Sequence, residues 1–296
     1  METLQQGRVA MIGLIGGGAM GGAMAARLVE TGHSIRCYDA SALALEKVRQ
    51  TGAEIAANLA DLAQGCSLII LSLPRAEIVA EVMTQLEPHL AKGTVILDTS
   101  TSEPETTKAL AERASAAGYV FLDGPVSGGP LGARSGTMTM VMGGAAQAIE
   151  AIRPVLADLT AKIVHVGPSG SGHAAKIANN LLCAANLVLV SEMARLAESS
   201  GVALENLLEG VNAGSGRSGV SEVNFPKWIV SGDYNSGFTM GLMRKDVGLA
   251  GKLAAAAGLD LPATRAIAAI WEDSQSALPD SADFNEIYTY GAKAND

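Results

Sequence analysis

Val9-Ala10-Met11-Ile12-Gly13-Leu14-Ile15-Gly16-Gly17-Gly18-Ala19-Met20-Gly21 decides the fold. An apolar run with the character of a buried strand breaks into glycines and continues as Met20–Val29, whose apolar residues recur at helical intervals. Gly16, Gly18 and Gly21 have the GxGxxG spacing, in the strand-to-helix context that makes the motif informative. The first glycine permits a tight turn, the second lets backbone approach a pyrophosphate, and the third lets the helix lie close to the strand. The helix N-terminus at Ala19 and Met20 then faces the phosphates with its partial positive charge. Asp39 stands eighteen residues beyond Gly21, at the end of a second predicted strand, Ile35–Tyr38. A carboxylate there meets the ribose diol and repels a 2′-phosphate. Ala40 rather than an arginine follows, so NAD is expected over NADP, with Arg36 as the residue that keeps NADP in view.

The same alternation continues outward. Leu68–Leu71, Val95–Asp98, Val120–Asp123, Met138–Met142 and Ile163–Val166 read as strands, and Leu43–Gln50, Ile78–Leu90 and Glu103–Ala117 as helices between them. Strands alternating with helices predict a largely parallel, doubly wound sheet of the α/β class. From Gly170 onward strand patterns vanish. Ala174–Ser199 contains neither Pro nor Gly and predicts one helix of about 39 Å, long enough to join two domains. Helical segments near Leu204–Val211, Leu242–Ala257, Pro262–Ser276 and Phe284–Ala292 make the second domain all-α. The expected division is a dinucleotide-binding domain over 1–168 and an all-α substrate and dimerisation domain over 169–296.

Composition removes other classes. The 296 residues include 21 Lys+Arg against 30 Asp+Glu, a formal charge of −9, with only four Phe, five Tyr and two Trp. That balance lacks both the positive field and the stacking surface of a nucleic-acid binder. Cys37, Cys66 and Cys183 are too few and too scattered for a disulfide framework, which favours a reducing cytoplasm, and no CxxC pair or His spacing suggests a metal. Val9–Ala26 is uncharged and superficially like a signal segment, but six glycines interrupt it, and Leu181–Val190 is too short to span a bilayer. Neither secretion nor membrane attachment is expected.

Three further constellations carry chemistry. Gly170-Ser171-Gly172 precedes the long helix, and Lys176 and Asn180 follow on one face, four residues apart. Loss of hydration and cationic neighbours favour a neutral amine, the form that proton transfer needs. The bland reading of Lys176 is a solvated helix lysine. Asp123-Gly124-Pro125-Val126-Ser127-Gly128-Gly129 follows another strand and runs on through Gly132 to Gly136. Successive glycine N–H groups with the Ser127 hydroxyl suit a small carboxylate, although glycines also serve plain turns. Lys245-Asp246 reads on its own as a helix-surface ion pair.

Together, in order and over nearly the whole chain, these segments resemble the β-hydroxyacid dehydrogenase family. Gly13–Gly21 is similar to the family's cofactor signature, with Gly17 in place of a usual leucine, and Asp123–Thr139 to its substrate-binding signature. Gly170–Asn180 is similar to its catalytic signature, which implies Lys176 as the catalytic residue and Asn180 as a substrate-positioning one. Phe238, Leu242, Lys245 and Asp246 match a second cofactor-contacting stretch, and Asp98-Thr99-Ser100-Thr101 with Pro104 the segment beside the nicotinamide, implying Ser100, Thr101 and Lys245 as cofactor contacts. The resemblance implies a Rossmann-type sheet followed by an all-α domain. It also implies NAD-dependent hydride transfer on a short β-hydroxy acid or its semialdehyde, with Lys176 moving the proton, Ser127, Gly128 and Gly129 holding the carboxylate, and a homodimer or homotetramer. Alternatives are a semialdehyde or glyoxylate reductase, an NADPH-using imine reductase of the same superfamily, and a catalytically silent binding relative. Lys176, Asp39 and the Ser-Gly-Gly loop argue against the imine reductase, and the acidic chain argues against the silent one.

Overall fold

The computed structural model describes residues 11–291, so Val9 and Ala10 of the first predicted strand and Ala292 of the last predicted helix lie outside the described residues. The chain forms two compact units, one reaching to Lys176 and the other starting at Ile177.

In the first unit, β1 (Ile12–Ile15), β2 (Ile35–Tyr38), β3 (Glu54–Ile55), β4 (Leu68–Leu71), β5 (Val95–Asp98), β6 (Val120–Asp123), β7 (Val126–Ser127), β8 (Met138–Gly143) and β9 (Thr160–Gly167) make one sheet of order β3-β2-β1-β4-β5-β6-β8-β7, with β9 beside β8. β1 to β6 pair in parallel, as do β8 and β9, while β8 runs antiparallel to β6 and β7. Around it run α1 (Ala19–Glu30), α2 (Ala42–Arg49), α3 (Leu59–Ala63), α4 (Ala76–Leu86), α5 (Pro104–Ala117), α6 (Gly129–Ser135) and α7 (Ala146–Ala157).

The unbroken apolar strands follow from burial on both faces. Leu68 and Ile70 point into a core with Met24 and Leu28 of α1 and Ile152 and Leu156 of α7. Ile69 and Leu71 point into an opposite core with Leu62 of α3, Val79 and Met83 of α4 and Leu110 of α5. Each such side chain contributes about 1.5–3 kcal/mol on burial, and a slip of one residue would exchange the two cores. The strand order reverses between β1 and β4, and in open sheets of this kind ligands bind at that switch point, outside the carboxyl ends of the strands.

Helix α8 (Ser171–Ser199) starts three residues earlier than the sequence predicts, and the division between the units falls within it. It is long and apolar enough to cross a membrane, yet Ala184, Leu187 and Val188 enter the core of the second unit. There they join Leu208 of α9 (Leu204–Ala213), Phe225 of a π-helix (Val220–Val230), Met243 and Val247 of α10 (Met240–Ala256) and Trp271 of α11 (Pro262–Asp273). Phe284–Thr289 is a 3-10 helix rather than an α-helix, capped by Asp283.

Candidate active site

The glycine loop lies at the switch point. Gly16 has φ +99°, and a Cβ there would lie 2.2 Å from the Ser72 carbonyl oxygen just past β4. A Cβ on Gly21 would lie 1.8 Å from the Gly16 oxygen, so α1 approaches β1 as closely as backbone permits. Gly18 differs: a Cβ there would meet nothing within 4 Å. The protein itself makes no use of that space. Gly18 is also the N-cap of α1, with no side chain capping it and no acidic residue in the first turn. The first N–H groups of the helix have no intrahelical partner and suit an anion. A cleft of about 410 Å³ opens here, lined by Gly17, Gly18, Ala19, Ser41, Lys47 and Val48 among others. The residues present therefore fit a dinucleotide.

Asp39 closes the loop from β2. Its carboxylate accepts the Gly17 N–H at 2.6 Å and the Ser41 N–H at 2.7 Å, which fixes the side chain at the strand end while lone pairs remain for a diol. Arg36 is committed elsewhere. Its guanidinium donates to Glu54 Oε2 at 3.2 Å and to the carbonyls of Asp61 and Gln64 at 3.0 and 2.9 Å, so it does not serve as a 2′-phosphate clamp. Cys37, beneath Gly17, has its thiol pushed up to about 12 by burial and then by the Asp39 charge, and is no nucleophile at neutral pH. Asp39→Ser keeps an acceptor and drops the charge. It is expected to swing the ratio of NAD to NADP affinities toward NADP by about tenfold, read by titration of the two reduced cofactors.

The proton-handling candidates meet in the same unit. Lys176, 8% exposed, donates from Nζ to Ser127 Oγ at 2.9 Å. This replaces the solvated-lysine reading, and it joins two candidates that are 49 residues apart. Gly128 and Gly129 have φ +123° and +62°, in the left-handed region that favours glycine, and from Gly129 to Ser135 the glycine loop continues as a helix, α6.

α8 is held by a carboxylate that sequence reasoning did not assign. Asp123, fully buried at the end of β6, accepts the Gly170 N–H at 2.9 Å and the His173 N–H at 3.0 Å, acting as a long-range N-cap. A Cβ on Gly172 would lie 2.9 Å from that carboxylate, and one on Gly143 2.6 Å, so these glycines were the available signal. Asp98 at the end of β5 accepts the Ser100 N–H at 2.9 Å, and Ser100 Oγ accepts the Leu73 N–H at 3.0 Å. Ser100 is buried, and Thr101 follows it half-buried.

In the second unit, Asn180 donates from Nδ2 to Asp246 Oδ2 at 2.5 Å and accepts from Asn179 at 3.1 Å, so its amide orientation is fixed. Lys245 Nζ lies 3.3 Å from Asp246 Oδ1. Asp246 is 1% exposed, so Lys245–Asp246 is not the surface ion pair of the bland reading. No group of three or more His, Cys, Asp or Glu suited to a metal occurs among the described residues.

Residues 11–167 match the family described as the NAD-binding domain of 6-phosphogluconate dehydrogenase, and residues 170–290 match the one described as NAD-binding of NADP-dependent 3-hydroxyisobutyrate dehydrogenase. The chain is 37% identical to 2-(hydroxymethyl)glutarate dehydrogenase of Eubacterium barkeri, covering 90% of this chain and 89% of that one. It is 34% identical to NAD-dependent L-serine dehydrogenase of Pseudomonas aeruginosa, over 85% and 87%. The solved structure of 3-hydroxyisobutyrate dehydrogenase from Mycobacterium tuberculosis with L-serine superposes with a TM-score of 0.92 at 28% identity, covering 97% of this chain and 100% of that one.

Proposed function

The chain belongs to the β-hydroxyacid dehydrogenase family as an NAD-dependent oxidoreductase, and from that premise we propose that it interconverts a short-chain β-hydroxy acid and its semialdehyde with Lys176 as general acid and base. The observation that carries this reading is the 2.9 Å hydrogen bond from Lys176 to Ser127, which links a proton carrier to a group able to bind a carboxylate. Hydroxymethylglutarate and L-serine, the substrates in the names of two relatives, both carry a hydroxyl on the carbon β to a carboxylate.

Bound NAD supplies the hydride acceptor in one direction and, reduced, the donor in the other. The remaining work falls to the chain. Ser127, with the backbone of Gly128 and Gly129, holds the substrate carboxylate and so fixes the position of the hydroxyl-bearing carbon. In oxidation the neutral Lys176 amine takes the hydroxyl proton while that carbon loses its hydrogen with both electrons. In reduction the Lys176 ammonium returns the proton to the carbonyl oxygen. Asn180, its amide held by Asn179 and Asp246, keeps one N–H for the substrate oxygen or acid. Lys245, beside Asp246, serves the cofactor, as do Ser100 and Thr101.

Two wider features complete the proposal. No disulfide joins Cys37, Cys66 or Cys183, which suits a reducing cytoplasm. Leu182, Leu189, Met193 and Leu196 are exposed along α8 at spacings of seven, four and three, a stripe that suits pairing with a second copy of this chain.

The test is a spectrophotometric panel in which 3-hydroxyisobutyrate, glycerate, 3-hydroxypropionate, 4-hydroxybutyrate, serine and a sulfonate analogue are each offered with NAD and with NADP. NAD reduction by at least one β-hydroxy acid is expected. Inactivity toward all of them, combined with NADPH-dependent reduction of cyclic imines, would replace this reading by the imine reductase one.

A further inference from the structure

His173 is 0% exposed, lies one turn before Lys176 on α8, and takes no part in the proton transfer proposed above. Its surroundings are polar at every ring nitrogen. Nε2 lies 3.0 Å from the Ser100 carbonyl oxygen and 3.8 Å from Asp98 Oδ2, and Nδ1 lies 2.7 Å from Thr107 Oγ1. A carbonyl oxygen only accepts, so Nε2 carries a proton, and in the neutral ring Nδ1 then accepts the Thr107 hydroxyl proton. Burying an imidazole costs free energy unless its nitrogens are hydrogen-bonded, and here both are.

The bonds converge on one short segment. Ser100 is held at its N–H by Asp98, at its hydroxyl by the Leu73 N–H, and at its carbonyl by His173. All three polar groups of this residue are thereby anchored, and the backbone leading into Thr101 is left with little freedom. His173 is the one anchor that comes from α8, the helix that also carries Lys176, and its own N–H is held by Asp123. The imidazole therefore ties the register of the lysine's helix to the position of the Asp98–Thr101 segment. A reaction that moves a hydride at one carbon and a proton at the oxygen bonded to it requires those two carriers to be aligned within about half an ångström.

We infer that His173 is a positioning residue that locks the Asp98–Thr101 segment against α8 and so sets the nicotinamide half of the cofactor relative to Lys176. This rests on the reading of that segment as the one beside the nicotinamide. Its direct consequence concerns binding, apart from turnover: the nicotinamide half should feel the loss of His173 and the adenosine diphosphate half, held by the Gly16–Gly21 loop and Asp39, should not.

The experiment compares the affinities of NADH and ADP-ribose, which lacks the nicotinamide, by calorimetric titration of the full chain. In His173→Leu the ratio of the NADH to the ADP-ribose dissociation constant is expected to rise about tenfold, roughly the loss of one or two buried hydrogen bonds. In His173→Gln, whose amide can donate to the Ser100 carbonyl and accept from Thr107, the ratio should return toward the wild-type value. Thr107→Val removes the Nδ1 partner, together with the hydroxyl's 3.3 Å bond to the Glu103 carbonyl within α5, and provides the same readout should the leucine variant fail to fold. A merely structural role would lower both affinities together and leave the ratio unchanged, and an unchanged ratio in the variants that fold overturns the inference. Failure of the wild-type chain to bind NADH would instead defeat the reading of the glycine loop, and the inference with it, a result distinct from an unchanged ratio.

Discussion

Lys176→Ala is expected to lower kcat by about 10²–10⁴-fold, the usual contribution of a positioned general acid or base, while NADH affinity stays at the wild-type value. The separation of the two effects follows from the arrangement of the first unit. Lys176 bonds to Ser127, whereas the dinucleotide features lie at Gly16–Gly21 and Asp39, at the ends of different strands. Lys176→Arg tests the same point from another side. An arginine keeps the charge and the donor but does not lose its proton in the working range, so it is expected to bind substrate and still fail to turn it over. Steady-state rates with a substrate found in the panel, together with NADH titration, check both variants. Wild-type turnover by Lys176→Ala would remove the residue from the mechanism.

Gly18→Ala and Gly21→Ala are both expected to weaken cofactor binding, for opposite reasons. At Gly18 the backbone has ordinary extended torsions, φ −64° and ψ −161°, and a Cβ meets nothing within 4 Å. The protein should tolerate alanine within about 0.5 kcal/mol. The methyl group instead occupies space that the pyrophosphate needs, so NADH affinity should fall by about tenfold or more with no change in melting temperature. At Gly21 the added Cβ would lie 1.8 Å from the Gly16 oxygen, a backbone atom with no rotamer by which to yield. Helix α1 must then back away from β1, a cost of about 1–3 kcal/mol that should appear as a lower melting temperature along with lost binding. Thermal denaturation with and without NADH separates the two cases. Undiminished NADH affinity in Gly18→Ala would contradict the placement of the phosphates.

The first unit was legible where local sequence and burial agree. Leu68–Leu71, Val95–Asp98 and Val120–Asp123 stand as expected, because strands buried on both faces in a parallel sheet leave apolar runs, and Ile35–Tyr38 stands by alternation, with Ile35 and Cys37 buried and Arg36 and Tyr38 half-buried. Glu54–Ile55 escaped notice because a two-residue edge strand carries no period. Gly129–Ser135 was masked by its glycines, and Ala146–Ala157, with Pro154 inside it, by its interrupted pattern. The predicted helix Ile78–Leu90 ends as a 3-10 turn over Glu87–His89, where Pro88 removes a donor. The π-helix Val220–Val230 has a periodicity that neither a helix nor a strand template detects.

For the site, residue types and spacing point to candidates but not to their partners. Lys176 with Ser127, and Asn180 with Asp246, are joined across 49 and 66 residues of chain. No local pattern encodes such pairs. Asp123 is the clearest case: its capping of α8 depends on β6 ending beside Gly170, a fact of topology, and it explains why the helix begins at Ser171 rather than at Ala174. His173 likewise carries no local signal, because the Thr107 hydroxyl and the Ser100 carbonyl at its two nitrogens lie 66 and 73 residues away in the chain.

The most direct measurement of the central claim is a crystal structure of the dead-end complex with NADH and a β-hydroxy acid substrate, which cannot react because both partners are reduced. The Lys176 amine is expected within hydrogen-bonding reach, about 2.6–3.2 Å, of the substrate hydroxyl, with the Ser127 hydroxyl on the substrate carboxylate. A hydroxyl bonded to some other side chain, with Lys176 turned away from it, would contradict the account.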